Sequence, residues 1–417
     1  MKLAQISALS AAIFMATSAQ ANAFLDDSSL NLELVNYSQT KTEDTSKKYS
    51  TSQWAQGIKA DFSSGYFENI VGLDFSAYYS LKLGASHADF GNPGLLKVDS
   101  DGESHSYGKT AYAIKFNLAD MGEAKYGRMF ISTPLYGNSS SRVLPGLSEG
   151  FYADISVAGL SAHTAWIQEI NKRAESGFDD FEADGDKQAV KIIGGSYDFG
   201  NGLQLSADYG TQTDFAKKYL TEISYSTELQ GVDLGVAGQY AKFSSQGYLQ
   251  DALKADPAQD TSQYAYGLKV TAGIAQANFG IAYTKVESSD ATENFIAGWQ
   301  AGTTPKDMAA DDSYFGYNSI QISDFNTSGQ KAWGFTAGYD FAEFVDGLTV
   351  EGIYVIGDTK TADETEYNID VNYAIPQVEG LTARLRYAKN TVDPSGSGDD
   401  TVTTDTRIIL KYNIAVF

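Results

Sequence analysis

The side chains best equipped for chemistry are three histidines, His87, His105 and His163, with Asp89, Asp99 and Asp101 close to the first two. Imidazoles and carboxylates in one loop could ligate a metal or form a hydrolase's acid–base pair. The spacing, however, offers neither an HExxH motif nor a nucleophile elbow. With no cysteine there is no thiolate nucleophile, thiolate metal site or disulfide framework. The acidic run "GFDDFEADGD" at 177–186 lacks EF-hand spacing and reads as a solvated loop. A different chemistry is suggested by "GLTARLRYAKN" at 380–390, where Arg384 and Arg386 alternate with Leu381, Ala383, Leu385 and Tyr387. Guanidinium groups along one strand face bind and orient anions without breaking bonds. What that face looks onto depends on the architecture.

Period-2 alternation runs through the chain. Val71, Leu73, Phe75, Ala77, Tyr79, Leu81 and Leu83 share one face of a strand, and Gly72, Asp74, Ser76, Tyr78, Ser80 and Lys82 share the other. The pattern returns in Leu203, Leu205, Ala207 and Tyr209, and in Tyr367, Ile369, Val371 and Tyr373. Connections alternate too. Short ones lie near 65–69, 119–123, 158–160, 199–202, 228–231, 272–275, 341–347 and 375–380. Longer ones lie near 39–53, 84–108, 132–150, 168–188, 211–217, 244–263, 287–330, 357–366 and 390–405. This predicts an all-β fold, a transmembrane antiparallel β-barrel of about 18 strands with short periplasmic turns and long extracellular loops. Closure is required because hydrocarbon cannot satisfy a free sheet edge. Trp54, Trp166, Trp333 and Tyr412, near strand ends, suit interfacial girdles.

Residues 1–23 read as an export signal: Lys2, an apolar stretch from Leu9 to Met15, and Ala21-Asn22-Ala23 before a cleavage site at Phe24. Residues 24–417 then form a single barrel domain. The formal charge of −23 argues against a nucleic-acid partner. The expected partners are small solutes and outer-membrane lipid and lipopolysaccharide, with no cofactor; monomer and homotrimer both stay open. The expected location is the outer membrane of a Gram-negative bacterium. A barrel enzyme of the hydrolase type is the reading from another class.

Parity assigns the lumen. Lys59, Lys82, Lys115 and Lys125 point inward on the second to fifth strands, and Arg384, Arg386, Arg407 and Lys411 on the last two, which closure makes neighbours. The inward acids Asp208, Glu222, Asp233, Glu351, Glu366 and Asp370 belong to the opposite wall, while Glu33, Asp61 and Asp74 interrupt the basic one. Such a lumen carries a transverse field that draws small anions to one side. Arg128 breaks the local parity and its direction is undecided.

The chain resembles the OprD-type outer-membrane porins. The likeness runs through "FLDDSSLNLELVNY" at the expected mature N-terminus, "WAQGIKADFSSGY" at 54–66, "GLLKVDSDGESHSYGK" at 94–109, "SSSRVLPG" at 139–146, "GYDFAEFVDGLTV" at 338–350 and the terminal "DTRIILKYNIAVF". The resemblance implies 18 strands narrowed by infolded loops, and passive diffusion of small nutrients. Many members take carboxylates along a row of basic residues, whereas a chitoporin branch takes amino-sugar oligosaccharides. It also implies that the loop carrying Arg142 folds into the pore, where the guanidinium would bind a carboxylate beside Ser139, Ser140 and Ser141. The alternative role for Arg142 is an ion pair that holds the fold. Val35 occupies an inward position where many members have a basic residue, so neutral sugars stay in contention, with Tyr78 and Tyr197 as inward aromatic platforms.

Overall fold

Strands with one apolar face pair edge to edge and, lacking any cover for a free edge, close on themselves. The computed structural model describes residues 21–45, 47–88, 91–255, 261–287, 296, 298–301, 308–309, 316–396 and 398–417. The predicted export signal therefore lies mostly outside the described residues; a short helix, Ala21–Asp26, precedes the barrel.

Eighteen strands form the wall. They are β1 (Ser29–Asp44), β2 (Lys48–Ser63), β3 (Val71–Ala85), β4 (Tyr107–Asn117), β5 (Gly122–Met129), β6 (Leu147–Val157), β7 (Leu160–Asn171), β8 (Val190–Asp198) and β9 (Leu203–Gln212). There follow β10 (Ala216–Leu229), β11 (Val232–Ser245), β12 (Ser262–Ile274), β13 (Ala277–Glu287), β14 (Lys331–Asp340), β15 (Leu348–Asp358), β16 (Ala362–Ala374), β17 (Leu381–Pro394) and β18 (Thr401–Ala415). Each is antiparallel to its neighbours, and β18 closes on β1 from Asn31 opposite Ala415 to Asp44 opposite Val402. Phe417 ends the seam, accepting a hydrogen bond from the Leu30 amide at 3.1 Å.

The outer face is apolar. Leu73, Tyr79, Leu81, Leu205, Ile223, Ile369 and Leu385 are all more than 40 % exposed, which is stable only against hydrocarbon. Trp54, Trp166 and Trp333 also stand outward. Among the described residues no helix is long and apolar enough to cross a membrane; the crossing is made by strands. On the periplasmic side, Ala158-Gly159 and Gln230-Gly231 take positive φ at both residues, the left-handed pair that matches strand twist in a two-residue hairpin.

Extracellular connections are numbered L1 to L9. Three that the sequence suggests are longer loops are short: the ladder runs out to Asp44 opposite Lys48 at L1, and L5 at 213–215 and L8 at 359–361 are tight turns. The run "TKTEDTSKKYSTSQ" at 40–53 is polar on both faces, so alternation stops before pairing does. β1 and β2 each reach 16 residues, beyond the roughly 9–11 that cross a bilayer. In their described residues the long connections L2 (86–106), L3 (130–146), L4 (172–189) and L7 (288–330) fold inward and bring apolar side chains with them. One buried cluster joins Leu135, Tyr136, Phe181, Phe215, Phe243 and Trp299; another joins Val35, Tyr37, Leu95, Leu96, Val143 and Leu144.

Candidate functional site

The pore is narrowed by loops fastened to its wall. Gln53, buried on β2, accepts the amides of Leu95 and Leu96 at 3.0 and 3.1 Å and so holds L2. Val143 of L3 lies over Gly57, where a Cβ would come within 2.5 Å of its Cγ1. Only glycine lets the loop pack so closely. Lys109 donates to the Pro145 and Lys172 carbonyls at 2.9 and 3.2 Å, tying L3 to the start of L4. L7 joins L3 through Trp299, whose indole N–H donates to the Leu135 carbonyl at 2.8 Å. The far part of L7 is clasped by Glu366 on β16, whose carboxylate accepts the amides of Ile322 and Ser323, both at 2.9 Å. Tyr317 donates to Glu222 of β10 at 2.7 Å, fastening the same stretch of L7 to a second wall strand.

Arg142 sits where L2, L3 and the β18 wall meet. Its Nε donates to the Pro93 carbonyl at 2.7 Å, and one terminal nitrogen to the carbonyl and hydroxyl of Ser141 at 3.2 and 3.0 Å. Among the described residues no carboxylate lies within ion-pair distance of it. Burial, together with the positive charge of Arg407 and Arg173, pushes its guanidinium down to about 10, so it stays charged at neutral pH. Lys41 feels the same group of charges: Asp405, Arg142, Arg407 and Arg173. Asp405 is the one acid among them. It is fully buried, accepts Gln39 at 3.1 Å on each oxygen, and pairs with Arg407 at 2.6 Å.

Other predicted lumenal bases are engaged by acids of the wall. Lys59 pairs with Glu33. Lys115 lies 3.1 Å from Asp74, which also holds Lys125 at 2.7 Å. Arg384 and Arg386 share Asp370 of β16, and Lys82 donates to the Ser104 carbonyl of L2 at 2.8 Å. Lys411 lies opposite Val35 in register and makes no ion pair with the described residues. Ser139 and Ser141 approach each other at 3.2 Å through their hydroxyls, and Ser140 is exposed. The "basic wall" is therefore a set of paired charges, with its uncompensated part concentrated around Arg142.

Several expectations are corrected or resolved. Tyr197 faces outward, sharing the face of Ile193 and meeting Phe199 edge to face with ring centres 4.8 Å apart, because periplasmic strand ends need an aromatic girdle. Tyr78 is inward but mostly buried, with its hydroxyl donating to Asp61 at 2.5 Å, so its ring offers no open platform. Arg128 also faces outward, opposite the exposed Tyr112 in register, and pairs with Glu149 at 2.6 Å. His105 pairs with Asp99 at 3.1 Å and His87 bonds the Asp101 carbonyl at 2.7 Å, both within L2. Asp89 lies outside the described residues. His163 meets Asp208 at 2.7 Å inside the wall, far from the other two in sequence.

Sequence reasoning overlooked Gln39, Gln53, Lys41, Arg173 and Asp405, and the infolding of L7. Inward parity was available for Gln39, Lys41, Gln53 and Asp405. Residue type does not mark the clasp of L7 on Glu366, because it is made by backbone amides; Trp299 and Tyr317 were the side-chain signals available. Lys218 was missed as well; buried on β10, it donates to the Ile296 carbonyl at 3.2 Å and lies 4.6 Å from the Trp299 ring centre.

A closed barrel with an apolar exterior and loops infolded onto charged walls has close counterparts among known proteins. The family described as outer membrane porin, OprD family, matches residues 22–416. The chain belongs to the OprD family of outer-membrane porins. It is thus a channel protein of the Gram-negative outer membrane. Porin D of Pseudomonas aeruginosa is 26 % identical over 437 residues, covering 97 % of this porin and 94 % of its relative. The crystal structure of Pseudomonas aeruginosa OccK9 (OpdG) superposes with a TM-score of 0.79 at 23 % identity, covering 94 % of this porin and all of that chain. That of OpdK with vanillate, from the same species, gives 0.76 at 23 % identity, again over 94 % of this porin and all of that chain. At these identities the likeness to the two structures is one of fold.

Proposed function

We propose that this porin passes small carboxylates by passive diffusion, without chemistry of its own and without a cofactor. The observation that carries the reading is Arg142. Its guanidinium is oriented by two backbone carbonyls and a hydroxyl and is short of a carboxylate partner, so a solute carboxylate would complete its coordination. Ser140 and Ser141 would add hydroxyl contacts. Arg407, Arg384, Arg386 and Lys411 would hand the anion along the β17–β18 wall, with Lys82 on the extracellular approach and Lys59 and Lys115 toward the periplasm. The OpdK structure with vanillate, itself a carboxylate, is consistent with this. Residues 1–23 would act as a removable export signal and residues 24–417 as one barrel domain.

Planar-bilayer recordings test the proposal. Stepwise conductance, an anion-directed reversal potential across a KCl gradient, and current block by benzoate are expected. Arg142→Gln should weaken that block on the order of tenfold, the loss of one charged hydrogen-bonding partner. Marked cation preference would overturn the reading. Block by chitooligosaccharides but not by benzoate would replace it with the sugar channel.

A further inference from the structure

Lys285 and Lys331, opposite each other in register on β13 and β14, stand outward at the extracellular edge of the lipid-facing band; the outer surface of β7 to β11 adds two depressions below its own lysines. At its extracellular edge stand Lys191, Lys217 and Lys242, all on the outward face. Lys191 lies opposite Trp166 and Thr211, Thr211 opposite Lys217, and Lys242 opposite Tyr219, each residue in register with its partners. Lys191 and Lys217 are exposed and make no ion pair with the described residues; Lys242 lies over the Tyr264 ring at 5.4 Å. One strand separates Lys191 from Lys217, which puts them roughly 10 Å apart. The outward acids nearby are already engaged: Glu149 and Glu169 by Arg128, Asp180 by Lys187, and Glu287 by Lys285.

Directly beneath Lys191 is a depression of about 440 Å³ lined by Trp166, Ile193, Tyr209 and Thr211. Further toward the periplasm on the same strands is a second, of about 650 Å³, edged by Tyr197, Leu205, Ile223 and Tyr240. Cationic groups therefore cap an apolar trough that runs down the wall at acyl-chain depth. An anionic head on an apolar tail has the complementary shape and charge. We propose that this face is a docking site for a phosphorylated glycolipid of the outer leaflet, with its phosphates on Lys191, Lys217 and Lys242 and an acyl chain in the trough. The spread of the lysines suits a head bearing more than one phosphate. The site is separate from the pore, so it holds whichever solute the channel carries.

The test is retention of lipid by the purified full-length porin. A glycolipid with a bisphosphorylated sugar head, the same glycolipid after phosphatase treatment, and phosphatidylglycerol are each added, and bound copies are counted by native mass spectrometry after detergent exchange. The intact glycolipid should be retained, and the combined Lys191→Gln/Lys217→Gln/Lys242→Gln variant should hold it on the order of a hundredfold more weakly. Arginine at all three positions should restore binding, and Lys331→Gln/Lys389→Gln, outside the sector, should leave it unchanged. Unaltered conductance shows that each variant is folded. Equal retention by the triple glutamine variant, equal loss in the Lys331/Lys389 control, or equal binding of the dephosphorylated lipid or of phosphatidylglycerol would overturn the proposal.

Discussion

Arg386 and Asp370 face each other across β16 and β17 as register partners, 3.0 Å apart, and Arg384 reaches the same carboxylate with its Nε at 2.8 Å. Two guanidinium groups on one acid leave a net positive charge held in a fixed place. Asp370→Asn removes the compensating charge and leaves the geometry of the wall in place. Anion preference should rise, read as a shift of the reversal potential under a salt gradient. The stability cost should be small for the Arg384 contact, which solvent screens, and larger for the less exposed Arg386 contact. An unchanged or cation-directed reversal potential would show that these arginines do not contribute to the field of the pore.

Glu366 holds L7 by accepting two backbone amides and the side-chain amide of Asn390. Hydrogen bonds contribute roughly 0.5–1.5 kcal/mol each, so three on one side chain supply a good part of what docks the loop. Glu366→Ala should release this part of L7, giving a higher open conductance with frequent transitions between levels. Limited proteolysis should then cleave within 316–330. A steady trace at the original conductance would assign the docking of L7 instead to Tyr317 on Glu222 and to Asn318, whose side-chain amide donates to the Ala332 carbonyl of β14 at 2.9 Å.

Asp324 of L7 provides a pH dependence. Burial raises its carboxyl above the ordinary aspartate range, against the opposing effects of the Ser319 hydroxyl and the Arg173 charge. It therefore takes up a proton at a higher pH than an exposed aspartate does. Each protonation removes a negative charge beside Arg173, so anion preference should increase as pH falls, starting before ordinary carboxylates titrate near pH 4. In Asp324→Asn the early part of that increase should be absent and the neutral-pH preference already raised. Superimposable pH profiles for the two proteins would exclude Asp324 as the source.

The wall of this porin is written in its alternation, since a strand between water and lipid must present opposite chemistry on successive residues. Leu381, Ala383, Leu385 and Tyr387 set the parity that turns Arg384 and Arg386 inward, and the same rule placed Arg407 and Lys411. Where one face stops being apolar, as at 40–53, the signal vanishes although the ladder continues. Where both interfaces need aromatics, as at Tyr197, an aromatic residue alone says nothing about direction. The interior was less legible. Cross-strand register decides that Asp370 meets Arg386 and sets Asp405 opposite Lys41, one diagonal step from the Gln39 it accepts, and register is a property of the closed sheet. The clasp of L7 on Glu366 depends on main-chain donors that every residue carries.

Val35 shows what replaces the expected basic residue at its position. It is 1 % exposed and packs with Leu95, Leu96, Val143 and Leu144, so L2 and L3 are anchored to the wall by an apolar contact at the point where β1 meets Gly57 and Lys411 in register. Val35→Lys would place an ammonium group among four aliphatic side chains and beside another lysine. An unpaired buried charge costs several kcal/mol, more than the docking of a surface loop usually provides. L2 and L3 should therefore detach, carrying Arg142 away from the wall. The measurable result is a wider channel with weaker benzoate block and a lower unfolding temperature, although positive charge has been added to the lumen. Tighter benzoate block at unchanged conductance would mean instead that the site accepts a basic residue without losing its loops.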